Sequence, residues 1–332
     1  MDVTRRDAAV CSTTMPEPDG SELTGKPDRV HRLVVVAVCA AIIAALAGGI
    51  IMLVDVLGSD DHSPAAQHAR KREPGGAGAA GSNQTAGPEA EPPRKIIKLA
   101  DHPLVTTPGL GLPNNACRLP EWDNSQATAK RFFRAATRCL DRAWEPVLRE
   151  LGLPFTPPRL YFPEGQSFAS DCGTIEVGIQ TAAYYCEGEL FLPFAGLQLD
   201  QYQDNPGVYL ALIAHEYGHH VQELAGIMDA AWRQIYQAGE GTARAQEISR
   251  RKELQAQCFS GLFLGSHVDR GGSIDRQMYD RAWHDQETRG DDTSGGHDHG
   301  SNENYAKWWR KGALDNRLTD CNTFKAPASE VS

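Results

Sequence analysis

An uncharged apolar run near the amino terminus constrains the fold of this 332-residue chain more than any other feature. The run reads LVVVAVCAAIIAALAGGIIMLV and covers about 22 residues (33–54), roughly what a helix needs to cross a hydrocarbon core. We therefore predict a transmembrane helix over residues 33–57. Lysine and arginine precede the run and aspartates follow it, which predicts a cytoplasmic amino terminus and an extracytoplasmic remainder.

A cleaved signal peptide is the competing interpretation of this run. The tripeptide ALA at residues 45–47 resembles a signal-peptidase site. The long preceding tail and the apolar residues that continue beyond the tripeptide favour an uncleaved anchor instead. The small residues Ala40, Ala44 and Gly48 share one face of the predicted helix, a pattern that favours weak dimerisation through the span.

The regions outside the run differ in composition and define the predicted domains. Residues 1–32 show no apolar periodicity and predict a disordered cytoplasmic tail, and residues 58–98 are rich in Pro, Gly and Ala and predict a flexible linker. Aromatic residues, cysteines and periodic apolar patterns begin together near Leu99, so we predict a folded domain over residues 99–325. The last residues, 326–332, are expected to be disordered.

The formal net charge of -10 argues against a nucleic-acid partner, because proteins that bind the phosphate backbone normally carry a basic surplus on one face. We therefore expect no nucleic-acid partner for this chain.

Six of the eight cysteines follow the apolar run, an even number that suits disulfides in an oxidising compartment. Six cysteines allow many pairings, and the short loop between Cys172 and Cys186 makes that pair the favoured one. A cysteine-based zinc site is the alternative, but the chain contains no C-x-x-C spacing.

The domain reads as α+β, mostly helical with a few short strands. Amphipathic periodicity and terminal Gly or Pro predict the helices, and short runs between Pro or Gly predict the strands. The predicted helices are residues 125–152, 206–226, 242–268, 273–284 and 304–311, and the predicted strands lie within 158–162 and 188–193.

The stretch AHEYGHHVQ, residues 214–222, carries the clearest chemical signal. His215 and His219 are four residues apart, so their imidazoles project from one face of the predicted helix and can share a cation. Glu216 follows the first histidine, which completes H-E-x-x-H, the arrangement in which zinc activates a water molecule and the glutamate accepts its proton. His220 points about 100° away and is expected to pack rather than ligate. The alternative is a solvated, histidine-rich helix turn.

A catalytic zinc usually has three protein ligands, so a third is required. Glu253 stands out, because the helix that carries it is the one expected to pack against the first. A buried carboxylate needs a partner, which a metal would supply. A surface glutamate paired with Arg250 or Lys252 is an equally open interpretation from spacing alone. The other candidates are Glu247, His267, His284, His297 and His299.

The combination of AHEYGHHVQ and the downstream ELQAQC resembles the neutral zinc metallopeptidase family of bacterial membrane-anchored proteins, which typically reads HEVGHHVQ and ELQADC. Cys172-Gly173, YYCEGELFLPF and HGSNENYAKWWRKG are similar to further segments of that family. The resemblance covers residues 159–312.

The resemblance implies a zincin-like domain in which His215, His219 and Glu253 bind Zn²⁺ and Glu216 is the general base. It implies a metallopeptidase that hydrolyses peptide bonds of a polypeptide substrate, held at the bacterial cell membrane with its catalytic domain outside. It also supports the pairing of Cys172 with Cys186.

One departure concerns the family's aspartate in ELQADC, which is Gln257 here. In related enzymes an aspartate at that position orients a ligand histidine, and losing such support typically reduces metal affinity or activity roughly 10- to 100-fold. Gln257 therefore favours a catalytically weak zinc-binding accessory or adaptor protein, whereas Glu216 favours the peptidase.

A peptidase also needs a group that stabilises the oxyanion opposite the metal. His299 is our catalytic candidate, with His297 and Tyr305 behind it, because it belongs to the family-like His-Gly segment. The competing interpretation is an incidental histidine in a flexible loop.

Overall fold

The computed structural model describes residues 91–178 and 181–332, all of which belong to one compact unit. The predicted tail, the predicted span and most of the predicted linker lie outside these residues. Within the described ranges, no helix combines the length and the apolar character needed to cross a membrane.

The prediction of a mostly helical α+β domain with a few short strands is confirmed for the part of the chain that the structure describes. The α-helices are α1 (Gln126–Glu150), α2 (Leu199–Tyr202), α3 (Pro206–Ala225), α4 (Ile227–Ala238), α5 (Ala243–His267), α6 (Arg276–Asp285), α7 (Asp291–Ser294) and α8 (Asn302–Asp315). The strands are β1 (Arg159–Tyr161), β2 (Ser167–Ser170), β3 (Gly173–Glu176), β4 (Tyr184–Cys186) and β5 (Glu189–Phe191).

The five predicted helices all form, with ends close to the predicted ones, because their capping residues are local. The side chain of Ser125 accepts a hydrogen bond from the Thr128 amide at the start of α1. The side chain of Thr242 does the same for α5. Gly226, which has a φ of 91°, ends α3 in the left-handed conformation that favours glycine. Helix α4 was not predicted and follows α3 directly.

The strands form two small sheets. In the first, β5 lies between β1 and β4, pairing parallel with β1 and antiparallel with β4. The second is the antiparallel pair of β2 and β3. Strand β4 is at an edge of the first sheet and contacts α3, so the sheet borders the helix that carries the histidine motif.

Helix α5 occupies the centre of the domain and packs against α8, α3 and α4. The contact with α3 is unusually close at Gly218, which lies between the two motif histidines. A Cβ atom there would lie 2.9 Å from the backbone of Ala256. The absence of a side chain at Gly218 therefore lets α3 approach the part of α5 that carries Glu253.

Three disulfides join elements of the domain. Cys172 pairs with Cys186, as predicted. The other two pairs, which the sequence left open, are Cys117–Cys139 and Cys258–Cys321. The last of these ties α5 to the carboxy-terminal part of the domain.

The structure corrects two predicted boundaries. Residues 326–332, expected to be disordered, are docked on the domain. Val331 is fully buried, and its carbonyl accepts a hydrogen bond of 2.8 Å from Arg250 Nε. At the other end, the Ile96 amide donates to the Ala225 carbonyl at 2.9 Å, so part of the predicted linker already packs on the domain. A single buried side chain and main-chain hydrogen bonds leave no periodic pattern that a sequence would reveal.

His267, near the end of α5, is buried and uncharged in the folded chain. Burial lowers the pKa of His267 to about 4, although the hydrogen bond with the Phe263 carbonyl opposes this shift. Because the pKa falls on folding, the unfolded chain binds the proton first, and stability is lost as the pH drops from about 6.5 to 4. We expect His267 to cost about 3 kcal/mol of unfolding free energy at pH 4 relative to pH 7.

Denaturant unfolding between pH 4 and pH 7 checks this prediction. The variant His267→Gln, which does not titrate in this range, should lose less stability on acidification than the native chain. His284→Gln is the matched control, because His284 is exposed on α6. Equal acid sensitivity of the native chain and His267→Gln would contradict the prediction.

Candidate metal centre

Helices α3 and α5 bring His215, His219 and Glu253 together in the buried interior. The Oε2 atom of Glu253 lies 2.9 Å from Nε2 of His219 and 3.3 Å from Nε2 of His215. The two imidazole rings stand nearly perpendicular, with centroids 4.9 Å apart. The potential ligand atoms of the three residues all lie within 4.8 Å of one another, which is a spacing that one metal ion can bridge.

Two glutamine side chains hold the outer edges of these histidines. Nδ1 of His215 lies 3.1 Å from Oε1 of Gln257, and Nδ1 of His219 lies 2.9 Å from Oε1 of Gln222. An amide oxygen only accepts hydrogen bonds, so each Nδ1 must be the donor. The Nε2 atom of each ring faces Glu253, so a neutral ring with its proton on Nδ1 would present its Nε2 lone pair to a metal ion there.

The carboxylate of Glu253 is ionised despite its burial. Burial opposes the charge, but the nearby His219 and the Lys252 ammonium group hold the pKa of Glu253 well below its usual range. Lys252 Nζ hydrogen-bonds to Oε1, which leaves Oε2 to face the histidines. The sequence left open a surface ion pair between Glu253 and Lys252. This pair does form, but both side chains are buried.

Glu216 and His220 follow the two metal-facing histidines and differ in surroundings. Glu216 is 9% exposed, and burial raises the pKa of its carboxyl group to about 7. His220 faces away from Glu253: its Nε2 donates to the Thr156 carbonyl at 2.7 Å, and its Nδ1 accepts from Tyr185 Oη at 3.1 Å. His220 thus packs against other elements, in the direction that the helical spacing indicates.

His299 reaches the same site from the loop before α8. Its Nε2 lies 3.6 Å from Oε2 of Glu253, and its ring lies 6.2 Å from that of His215. Burial would lower the pKa of His299, but the hydrogen bond with Asp298 and the charge of Glu253 raise it to about 9. About one third of the side chain is exposed, so His299 is at the mouth of the site. Tyr305 is buried behind, with its ring 6.1 Å from the rings of both His215 and His299.

The loop that carries His299 has its own internal support. Asp291 accepts hydrogen bonds from the amides of Asp298, His299 and Gly300 at 2.8 to 3.2 Å. Asp291, Asp298 and His299 form a second group with metal-ligand spacing. Because these amides occupy the Asp291 carboxylate, we assign this group to loop structure. Arg250 adds a link, donating to the His297 carbonyl at 3.1 Å.

The remaining candidates for a third ligand lie elsewhere. Glu247 pairs with Arg251 at 2.9 Å. His267 lies fourteen residues after Glu253, about 21 Å along the helix. His284 is exposed and bonds to the Asp280 carbonyl.

The sequence missed Gln222 and Gln286 as supporting residues, and it offered Lys252 only as a surface partner of Glu253. Only Gln222 carried a signal, because it belongs to the motif stretch and follows His219 by one helical turn.

The donor set fits zinc. Two imidazole nitrogens and one carboxylate oxygen make up a common set of protein ligands at catalytic zinc sites, in which a further position stays open. Both histidines have the second-nitrogen hydrogen bonds that accompany metal ligation. His215, His219 and Glu253 would hold the ion, and His299 and Glu216 would border it.

Comparison with known proteins yields distant relatives. The chain is 25% identical over 213 residues to YpfJ, an uncharacterized protein of Escherichia coli (strain K12), covering 59% of this chain and 71% of YpfJ. It is 30% identical over 160 residues to Rv2575, an uncharacterized protein of Mycobacterium tuberculosis (strain ATCC 25618 / H37Rv), covering 43% of this chain and 49% of Rv2575. No solved structure matches.

A family model described as "Putative neutral zinc metallopeptidase" matches residues 117–324, more than half of the chain. That range contains every residue of the candidate metal centre, which confirms the resemblance seen in the sequence motifs. The chain therefore belongs to this zinc metallopeptidase family.

Proposed function

We propose that this protein is a membrane-anchored, extracytoplasmic zinc peptidase that hydrolyses peptide bonds with Glu216 as general base. The observation that carries the proposal is the convergence of His215, His219 and Glu253 beside Glu216 in one buried site. Membership of the zinc metallopeptidase family supports it.

Each residue of the site would have its own role in hydrolysis. Zinc bound there would act as a Lewis acid toward water and the peptide carbonyl. Glu216 would accept the proton of the attacking water at a carboxylate oxygen and pass it to the leaving amine. His299, through its Nε2 proton, would donate a hydrogen bond to the oxyanion. Lys252 would hold Glu253 in place at its other oxygen.

The proposed location combines the apolar run with the cysteines. The run would anchor the chain in the bacterial cell membrane and place the domain outside, where three disulfides can persist. The substrates would be polypeptides near the outer face of the membrane. The span would favour weak dimerisation, and nucleic acid is not expected as a partner.

One observation favours a second candidate function. Gln257 supports His215 with a neutral amide where the family's ELQADC motif has a carboxylate. A less strongly polarised histidine is a weaker ligand. A zinc-binding accessory protein with little catalysis is therefore the alternative.

The first prediction concerns zinc content. The purified full-length chain should contain about one zinc ion, and His219→Ala and Glu253→Ala should each lose it, because a site with three protein ligands binds the ion far less tightly when one is removed. Elemental analysis after dialysis measures this. His284→Ala and Glu303→Ala are matched controls at exposed positions and should keep the metal. Full zinc content in both ligand variants would contradict the assignment.

The second prediction separates the peptidase from the accessory protein. Glu216→Gln keeps the shape of the side chain and removes the base, so hydrolysis of an unstructured polypeptide should fall by roughly 100-fold or more while zinc is retained. Glu223→Gln, the same change two turns further along α3, should leave activity unchanged, since its ion pair with Lys95 is partly exposed. Zinc binding without hydrolysis in the native chain would favour the accessory protein.

The third prediction concerns the histidine at the mouth of the site. His299→Ala should reduce kcat by about 100-fold without loss of zinc, the usual effect of removing an oxyanion donor. His297→Ala, in the same loop, should have little effect, because its contact with Arg250 uses the main-chain carbonyl. Equal activity of the two variants would show that His299 has no direct role.

A further inference from the structure

The two motif histidines are supported in different ways. The Nε2 group of Gln222 donates directly to a main-chain carbonyl, that of Lys252, at 2.8 Å. The Nε2 group of Gln257 instead donates to another amide, Oε1 of Gln286. Gln286 in turn donates from its own Nε2 to the Ala282 carbonyl at 2.7 Å. A second amide thus stands between the support of His215 and the fixed main chain.

An amide side chain has two orientations of nearly the same shape. In the observed one, Gln257 presents Oε1 to Nδ1 of His215, and the imidazole proton must be on Nδ1. In the opposite one, Gln257 would present an N–H group, so Nδ1 would have to accept. The proton of the neutral ring would then be on Nε2, the atom that faces Glu253. His215 could not bind a metal in that form.

Packing does not select between the two orientations. The side chains of Gln257 and Gln286 border a cavity of about 20 Å³ next to His215 and Tyr305, and an amide fills the same space either way. Hydrogen bonding does select. The Ala282 carbonyl can only accept, so it takes the N–H of Gln286 and leaves Oε1 of Gln286 to accept from Gln257. Both glutamines are buried (1% and 2% exposed), which makes a mismatched pair costly.

We propose that Gln286 is a positioning residue that, through Gln257, fixes His215 in the tautomer able to bind metal. The inference rests on the zinc site of the proposed function. It also explains how the chain accommodates Gln257 where ELQADC has a carboxylate: two equivalent acceptor oxygens have no wrong orientation, whereas an amide has one. Gln286 is needed because position 257 is an amide.

A double-mutant cycle in the full-length chain tests this. Gln286→Met removes the acceptor with an apolar side chain of similar length, and Gln257→Glu removes the ambiguity of the amide. Zinc affinity is measured by competition with a chelator. Gln286→Met should weaken zinc binding roughly tenfold or more in the native background. In the Gln257→Glu background the same change should have less than about a threefold effect, because the carboxylate has no N–H to be oriented.

Equal losses in the two backgrounds would overturn the proposal and leave Gln286 a packing residue. A second measurement does not depend on zinc: ¹⁵N chemical shifts of the histidine rings in the metal-free chain report the tautomer. His215 should carry its proton on Nδ1 in the native chain, shift toward Nε2 in Gln286→Met, and return in the double variant. An unchanged tautomer in Gln286→Met, or in Gln286→Leu if the methionine variant does not fold, would also overturn it. A further outcome is that the native chain binds no zinc while Gln286→Met still shifts the His215 tautomer. That result would support this inference and contradict the proposed function.

Discussion

The candidate metal centre depends on one buried charge, the Glu253 carboxylate, which faces the imidazoles of His215 and His219. A carboxylate removed from water is unfavourable unless charges or hydrogen bonds compensate it. Here the Lys252 ammonium group pairs with one oxygen, and the other oxygen faces the two histidine Nε2 atoms, where a bound metal ion would compensate it. The contact can form only where α3 and α5 nearly touch, which Gly218 permits. The close packing of α3 and α5 thus brings the charged Glu253 and the two histidines together in the interior.

Around this contact the support is neutral. The Nδ1 atom of each histidine meets an amide oxygen, not a carboxylate. The N–H group of each of these amides is hydrogen-bonded inside the protein. Neutral partners orient the rings without adding negative charge to a site that already contains Glu253 and Glu216. The arrangement gives up part of the polarisation that a charged acceptor would supply. The amides thus orient the histidine rings, but they polarise the rings less than carboxylates would.

The features that the sequence predicted are local in the chain. The spacing of His215 and His219 placed both on one helical face, and terminal residues such as Gly226 marked the helix ends. The pairing of Cys172 with Cys186 followed from a short loop and was supported by the family resemblance. These patterns depend only on residues within a few turns of each other.

The missed features depend on tertiary contacts. The pairing of Cys258 with Cys321 joins residues 63 positions apart. Gln286, directly after α6, hydrogen-bonds to Gln257, 29 positions earlier in the chain, and Val331, near the carboxy terminus, is fully buried. Helix α4 escaped prediction because it follows Gly226 without a loop to separate it from α3. No single sequence encodes such contacts as a recurring pattern.

Arg250 links the loop at the mouth of the candidate site to the carboxy-terminal segment. This side chain is three residues before Glu253 and holds two main-chain carbonyls, those of His297 and Val331. Through Arg250, helix α5, which carries Glu253, also holds the loop that carries His299 in place. Lifting this loop away from the site would break the hydrogen bond from Arg250 to the His297 carbonyl. The mouth of the site is then held by a hydrogen-bonding residue that is not itself one of the candidate metal ligands.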